Sequence, residues 1–565
     1  MSSFSIEEPS LLVETKTLLA NANPPFLFEH LPLNLNDNIW NDIRNEYKLS
    51  LPQLSVLKNA RCPPSQQVKE PTNTLNAITW NVAAINNNPF EYWITHDDAG
   101  YNKLMEDVSE FINNPGNKDI PIHEVFTDVM FNELCEDMTN AGWDGIDEVR
   151  SRWSGEYKNR KIITEFIKDG LIGKKRLASM PDRYTNTINL ADGSTAMRPT
   201  VINCYEGDLS STDKWWRVWR EFMFQREVTV KGKAGNPETK FVRNMLTKIK
   251  QSKYPAISAE EEAISIPLQA MACAVFDVIL VHMMNTLAPT SWQALKTDLC
   301  EKLNHKKHDR TLEILETTYG GVDVQFLQEV AGAFLDTVKA RKIEQDFDIW
   351  APADLDRDRD QNSLILTKKN LFKNVVEVTT EVASVGQSKG DLFVITADHT
   401  DGTQYLLASF HGDTNGLLTI PVLTAVHDYA KAAHPTRKFV FGMDANTYEK
   451  PDNGKVLDVT SFAKFYTDQG LNSCYGSQPN PSNYTTFHAR TYLQPQLNKA
   501  IKYSEKDIKG DKNPKDFIIF KNHEFKSLNT MKDNTGHKEY IEGMVFPTLT
   551  FPSDHGITAT SLSSI

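Results

Sequence analysis

Two rhythms of apolar residues divide this chain. Residues 75–82 (LNAITWNV) form a run rich in β-branched and aromatic residues, which predicts a buried strand, and Asn86-Asn87-Asn88-Pro89 breaks it. From about 97 to 305 the spacing turns helical, most clearly over 123–141, 213–222 and 264–288. From His308 the rhythm changes again. Arg310, Leu312, Ile314 and Leu315 sit at helical spacing and lead to Gly320-Gly321, after which a strand is predicted over 322–330. Strands are then predicted over 362–367, 392–397, 404–410, 438–442, 516–520 and 556–561. Helices fall between them at 420–433 and near 459–469. Such alternation predicts an α/β domain with buried sheets.

The pattern divides the chain into an N-terminal extension with short helices (1–74), an α/β domain built from 75–96 and 306–565, and a helical subdomain inserted at 97–305. No internal repeat is evident. Within the insertion, Trp215, Trp216 and Trp219 read as core packing. The alternative is a basic-aromatic surface that contacts substrate. The apolar stretch 264–288 contains Pro267, Gln269, Asp277, His282 and Asn285, so it reads as a buried helix rather than a membrane span.

Composition narrows the class. A chain of 565 residues holds two or three ordinary domains, or one domain with a large insertion. With 61 basic against 74 acidic side chains, the formal charge is −13. Proteins that track long nucleic-acid backbones are usually basic, so this total argues against a non-specific nuclease, although a local basic groove does not show in a sum. The six cysteines are far apart and form no Cys-x-x-Cys pair, which argues against a zinc site built from them and fits a reducing compartment. The opening MSSFSIEEPSLLVETK carries acids where a secretion leader needs bases, and no lipidation signal is present. The expected location is intracellular and cytoplasmic.

Polar clusters lie at the ends of the apolar runs. They are Trp80-Asn81, Gln328-Glu329, His411-Gly412-Asp413, Asp444-Ala445-Asn446, Lys515-Asp516 and Ser553-Asp554-His555. Phosphate-ester hydrolysis needs a cation to neutralise phosphoryl charge, an activated water, an oriented phosphate and a stabilised leaving oxygen. Hard cations take oxygen ligands, so one or two carboxylates suffice. Glu329 suits that role; taken alone it reads equally as a surface Glu at a strand end. Asp444 and Asn446 alternate on one face of their strand, an acid that accepts a water proton beside an amide that orients it. The alternative there is an Asx turn. Asp554 and His555 are adjacent, so both serve one site only from a loop or bulge. His555 needs a carboxylate to fix its tautomer, and Asp516 can supply it. His411 again places an imidazole at a strand end, whereas Asp413 and Asn415 read as a turn.

In this order the clusters resemble the endonuclease/exonuclease/phosphatase superfamily, whose motifs run W-N, L-Q-E, an internal His, G-D-x-N, D-Y-I and S-D-H. The matching residues are Trp80-Asn81, Leu327-Gln328-Glu329, His411, Asp444-x-Asn446, Asp516-Phe517-Ile518 and Ser553-Asp554-His555. The resemblance implies a four-layer α/β sandwich, two facing mixed sheets flanked by helices. It implies Mg2+ (with Mn2+ as a substitute) bound by Glu329, with Asp554 and Asn81 completing or supporting the shell. By the same resemblance Asp444 activates water and Asn446 orients it, Asp516 and His555 form an acid/base pair, and His411 contacts the phosphate or leaving group. One residue is inserted between Gly442 and Asp444 relative to the family pattern, Ile557 stands where a Pro is usual, and Phe517 replaces the Tyr of the fifth motif. The expected activity is Mg2+-dependent hydrolysis of phosphodiesters, with RNA, DNA or a nucleotide as substrate. The alternatives are a phosphomonoesterase acting on a small molecule or lipid headgroup, and a non-catalytic binding protein that keeps the fold.

Overall fold

A computed structural model describes residues 37–50, 53–54, 57, 74–232, 235–339, 341–357, 359–495 and 510–565. Of the N-terminal extension only a few segments are therefore described, among them a helix over Asp37–Tyr47; the expectation of short helices over 1–36 lies outside the described residues. The chain divides into two compact units. One comprises the described residues up to Ala84, His308–Phe487 and Asp511–Ile565; the other comprises Ile85–Lys307 and His488–Gly510.

The first unit is an α/β sandwich. The strands of its two large sheets are β1 (Thr74–Asn81), β2 (Val324–Val330), β3 (Phe347–Trp350), β4 (Asn362–Lys368), β5 (Phe372–Glu377), β6 (Leu392–His399), β7 (Gln404–His411), β8 (Lys438–Asp444), β9 (Leu471–Ser473), β10 (Asp516–Lys521), β11 (Phe525–Asp533) and β12 (Ile557–Ser564). They form two six-stranded sheets, in the orders β11-β12-β1-β2-β4-β3 and β9-β10-β8-β7-β6-β5. Both sheets are mixed. β1 and β2 pair in parallel, as do β7 and β8, and their other neighbours are antiparallel. A parallel pair needs a long crossover. Between β7 and β8 this is helix α1 (Thr419–Ala433); between β1 and β2 the chain runs through the second unit. Sequence reading missed β3, β5, β9 and β11, which lie outside the conspicuous apolar runs.

Side-chain alternation explains the layers. On β7 the even positions Leu406, Ala408 and Phe410 join Phe439, Phe441 and Met443 of β8 in a core against Val422, Leu423 and Val426 of α1 and Phe462 of α2 (Val459–Asp468). The odd position Leu407 and the β8 residue Val440, with Ile518 of β10, face the other sheet and share a core with its Ala77, Phe326, Ile365 and Leu562. Gly442 shares this inner face. A Cβ there would lie 2.4 Å from the Phe326 ring, so the sheets approach closely only because position 442 lacks a side chain. On the outer face of the first sheet, Gln325 of β2 donates to the carbonyls of Leu315 and Tyr319 at 3.4 and 3.2 Å. These are the flanking helical layers of the expected sandwich.

The second unit is mainly helical, with two small hairpins that its helical spacing did not reveal, Thr187–Asn189 with Thr195–Met197 and Glu227–Lys231 with Pro237–Phe241. Its longest helix, Ser265–Leu287, is apolar and long enough to cross a membrane, but 89% of its most apolar window is buried within the protein. Polar residues on this helix are used internally. Asp277, fully buried, accepts from Arg198 at 2.8 Å, Thr200 at 2.7 Å and Trp219 at 2.9 Å. All three tryptophans of the 213–222 segment are buried, and Trp215 and Trp216 donate to Pro199 O and Glu133 Oε2. The segment is core, and the basic-aromatic surface reading is set aside.

Candidate active site

The inner face of the sandwich is apolar in its middle and polar at one end. On β1, Leu75 and Ala77 belong to the core and the same-face residues Thr79 and Asn81 continue the row. On β7 Leu407 is followed by Ser409 and His411, and on β8 Val440 by Gly442 and Asp444. On β10 the direction is reversed: Asp516 comes first and the core residues Ile518 and Phe520 follow. Register aligns these ends, because His411 pairs opposite Asp444 and Asp444 opposite Asp516. A polar layer separates site from core. Gln328 Nε2 donates to Thr79 Oγ1 at 3.1 Å and to Ser409 Oγ at 3.0 Å, and Ser409 donates to Leu327 O at 3.0 Å.

Glu329 breaks the alternation. Phe326 and Gln328 face inward, so the next residue of a regular strand would face outward. A bulge between Leu327 and Val330, with Glu329 at φ +55°, turns the side chain back toward the site. Such backbone geometry in a non-glycine residue is uncommon and clusters where surroundings hold it in place. Here the carboxylate itself is held. Oε2 accepts from Ala84 N at 2.9 Å and Gln361 Nε2 at 3.2 Å, and Oε1 accepts from Asn81 Nδ2 at 3.0 Å. His411 Nε2 lies 3.2 Å from Oε1. Burial works against the charge, but His411, Asn81 and the Ala84 N–H outweigh it and hold the carboxyl well below its usual range.

Asn81 joins the acids. Its Nδ2 donates to both Glu329 Oε1 and Asp444 Oδ2 (2.9 Å), while its Oδ1 accepts from Ala83 N at 2.8 Å. The amide oxygen is thus turned away from the carboxylates, and Asn81 braces them from behind. Asp444 is fully buried. Asn446 does not continue the strand face as the sequence pattern predicted. β8 ends at Asp444, Asn446 adopts φ +47°, and its N–H closes an Asx turn onto Asp444 Oδ1 at 2.8 Å. The turn brings Asn446 Nδ2 to Gly412 O at 2.9 Å and within 3.4 Å of both His411 Nε2 and Asp444 Oδ2. The Asx turn is therefore the reading that holds, and the one-face strand alternation is not. Asp413 is a turn residue, its carboxylate accepting from Leu418 N at 2.7 Å.

The Ser553-Asp554-His555 segment is a loop, as two adjacent site residues require. It is pinned to the end of β1: Ser553 Oγ donates to Asn81 O at 2.6 Å, Trp80 Nε1 to His555 O at 2.9 Å, and Phe551 stacks on Trp80. His555 Nδ1 then lies 3.0 Å from Asp516 Oδ2, and Nε2 lies 3.7 Å from Asp444 Oδ2. Burial disfavours the imidazolium, yet Asp516 and Asp444 overcome it and push the His555 pKa up to about 10. Burial likewise raises Asp516, so the pair keeps a proton far into the alkaline range. Burial opposes the charge of His411 too, and Glu329, Asp444 and Asp391 raise it. Asp554 is half-buried and acts electrostatically on His555 and Lys515.

Among the described residues, two groups of donor atoms lie mutually within 4.8 Å: Glu329, His411 and Asp444, and Asp444, Asp516 and His555. The first is the more accessible, since the Glu329 and His411 side chains are each 17% exposed. Its two carboxylates are hard oxygen donors suited to Mg2+ or Mn2+. The donor chemistry fits such an ion. Asp554 is in neither group.

Several neighbours were not foreseen. Lys515 Nζ donates to Asn446 Oδ1 at 3.1 Å; its place immediately before Asp516 was the available signal. Asp391, which forms an ion pair with Arg359, lies 4.0 Å from His411 Nδ1. Thr485 Oγ1 accepts from the Lys515 and Asp516 amides at 2.8 and 3.1 Å. Nothing in the spacing marked Asp391 or Thr485. Asn362, also near this end of the sheet, is committed to Val330 O and to the Asp356 backbone.

A family model described as Domain of unknown function (DUF8234) matches residues 119–297, within the second unit. No curated protein matches the chain. Among solved structures, the chain is similar to truncated Caenorhabditis elegans TDP2, at 16% identity over 46% of this chain and 92% of that one, with a TM-score of 0.31. It is similar to the human Nocturnin catalytic domain with bound sulfate, at 17% identity, 46% and 87% coverage and a TM-score of 0.30. It is also similar to a Bacteroides vulgatus endonuclease/exonuclease/phosphatase, at 12% identity, 47% and 94% coverage and a TM-score of 0.32. In the order of its polar clusters and in the two-sheet sandwich that carries them, this chain resembles the endonuclease/exonuclease/phosphatase superfamily.

Proposed function

We propose that the first unit is a Mg2+-dependent phosphodiesterase acting on a nucleic acid or nucleotide. The observation that carries this reading is the convergence of Asn81, Glu329, His411, Asp444, Asn446, Asp516 and His555, from separate strand ends, onto one hydrogen-bonded cluster. Glu329 would hold the metal, with Asp554 at the half-buried rim and Asn81 bracing the carboxylates. Bound there, the ion neutralises charge on the phosphoryl oxygens.

The chain's own groups divide the remaining work. Asp444 accepts the proton of the attacking water, and Asn446, fixed by its turn, orients that water. His555 is the charged imidazolium at neutral pH and donates a hydrogen bond to a phosphoryl oxygen, while Asp516 accepts from Nδ1 and orients the ring. His411, across Asn446 from Lys515, faces the leaving oxygen.

The test is an initial-rate comparison on a short single-stranded oligonucleotide and on p-nitrophenyl phosphate. The expected result is cleavage of the diester, lost with chelator and restored by Mg2+ or Mn2+. A clear preference for the monoester, or diester cleavage indifferent to chelator, overturns the proposal.

A further inference from the structure

We propose that Lys515 is a substrate-contacting residue of this site, its ammonium group pairing with a non-bridging oxygen of the phosphodiester. The inference rests on the phosphodiesterase reading and names the group that recognises substrate charge. Lys515 is only 6% exposed. Its backbone is fixed on both sides, the N–H donating to Thr485 Oγ1 at 2.8 Å and the carbonyl accepting from Ala445 N at 2.7 Å. The side chain runs along the Tyr448 ring, with Nζ 5.4 Å from the ring centroid.

The Lys515 ammonium does not sit directly on a carboxylate. Its short contact, at 3.1 Å, is to the neutral amide oxygen of Asn446; Asp511, its ion-pair partner, lies 3.8 Å away. Arg198 sits directly on Asp277 at 2.8 Å, Lys175 on Glu261 at 2.6 Å and Lys521 on Glu524 at 2.9 Å, whereas the buried Lys296 spends two donors on the carbonyls of Thr200 and Tyr205, at 3.1 and 2.7 Å. A buried charge is costly unless paired and hydrogen-bonded. An ammonium offers three donors, and one is spent on Asn446. Holding that amide is not a sufficient reason for the lysine, because Asn446 is already fixed through its own N–H to Asp444 and its Nδ2 to Gly412 O.

Substrate chemistry supplies a reason. Glu329, Asp444, Asp516 and Asp554 surround the reaction centre, and a phosphodiester brings one more negative charge. A cation held beside Asn446, on the side away from His411, offsets that repulsion and places a point charge against a phosphoryl oxygen. No bond to Lys515 forms and its proton stays in place. The P–O bond to the leaving group breaks as the water oxygen bonds to phosphorus.

The test separates charge recognition from positioning. Wild type, Lys515→Met and Lys515→Arg are compared on bis(p-nitrophenyl) phosphate, an anion, and on bis(p-nitrophenyl) methylphosphonate, its uncharged analogue. Lys515→Met is expected to lower kcat/KM on the anion by about 30- to 100-fold and on the neutral ester by less than about fivefold. Lys515→Arg is expected to recover much of the loss on the anion. Equal losses on both esters would assign Lys515 a positioning role through Asn446 and overturn the proposal, as would no loss on either. Mn2+ binding and thermal unfolding of each variant show whether the fold survives, and a misfolded Met variant leaves the Arg variant to decide. Failure of the phosphodiesterase reading looks different: wild type itself then shows no Mg2+-dependent turnover of the anion, and the Lys515 proposal falls with it.

Discussion

Replacing Asp444 by Asn lowers kcat for Mg2+-supported phosphodiester cleavage by about a thousandfold, within the ~10^2–10^4 range typical of a positioned proton acceptor. The substitution preserves shape. The Asn carbonyl can still accept from Asn446 N–H, which the carboxylate does now at 2.8 Å. What disappears is the negative charge at a fully buried position, where Asn81 Nδ2 donates at 2.9 Å and the imidazoles of His411 and His555 lie at 3.6 and 3.7 Å. An amide cannot take a proton from water. Steady-state rates, with circular dichroism as the check on folding, measure the effect. A folded variant within tenfold of wild type would remove Asp444 from the role of base.

Asp516→Asn is expected to cost about a hundredfold or more in kcat and to move the alkaline limit of activity to lower pH. Asp516 is fully buried and is the largest influence holding the proton on His555. The sign follows from linkage. The His555 pKa is raised by folding from its ordinary 6.5 to about 10. The stability this pair contributes is therefore fully present below 6.5 and is lost as pH rises through about 10. In the Asn variant the imidazolium loses its partner, its pKa falls, and activity that depends on the charged form declines earlier as pH rises. At neutral pH the variant is also less stable, by about 3 kcal/mol, because one member of a buried ion pair remains uncompensated. Denaturant unfolding below pH 6.5 and above pH 10 should show that difference shrinking with rising pH. A pH–rate profile unchanged in shape would mean that His555 does not act as the charged donor.

Much of this site is legible in the sequence, for a geometric reason. Asn81, His411 and Asp444 each close an apolar run and Asp516 opens one, and in a two-sheet sandwich the polar end of each run meets the others once register is set. Sequence spacing reveals which residues end strands. It does not reveal backbone exceptions. Glu329 enters the site only through a bulge and a left-handed backbone angle, and Asn446 only through an Asx turn. A strict alternation rule points Glu329 outward and treats Asn446 as a further strand residue. Lys515 is hidden for a related reason: it precedes the first residue of β10, so alternation says nothing about its direction. Asp391 and Arg359 lie in loops between strands, where no periodicity exists to read.

The second unit follows other rules. Its helix Ser265–Leu287 is apolar all round because it is surrounded by protein, and its buried Asp277 is committed to internal bonds. The Trp215, Trp216 and Trp219 ladder looks like a binding surface when read as a sequence, yet each indole N–H is satisfied inside the unit.

The most direct test of the whole account is the position of a divalent ion. Crystals of the full chain soaked in Mn2+ should give an anomalous difference peak within bonding distance of a Glu329 carboxylate oxygen. Absence of a peak there at saturating Mn2+, or a sole peak elsewhere in the protein, would contradict the claim that these strand ends assemble a metal-dependent phosphodiesterase.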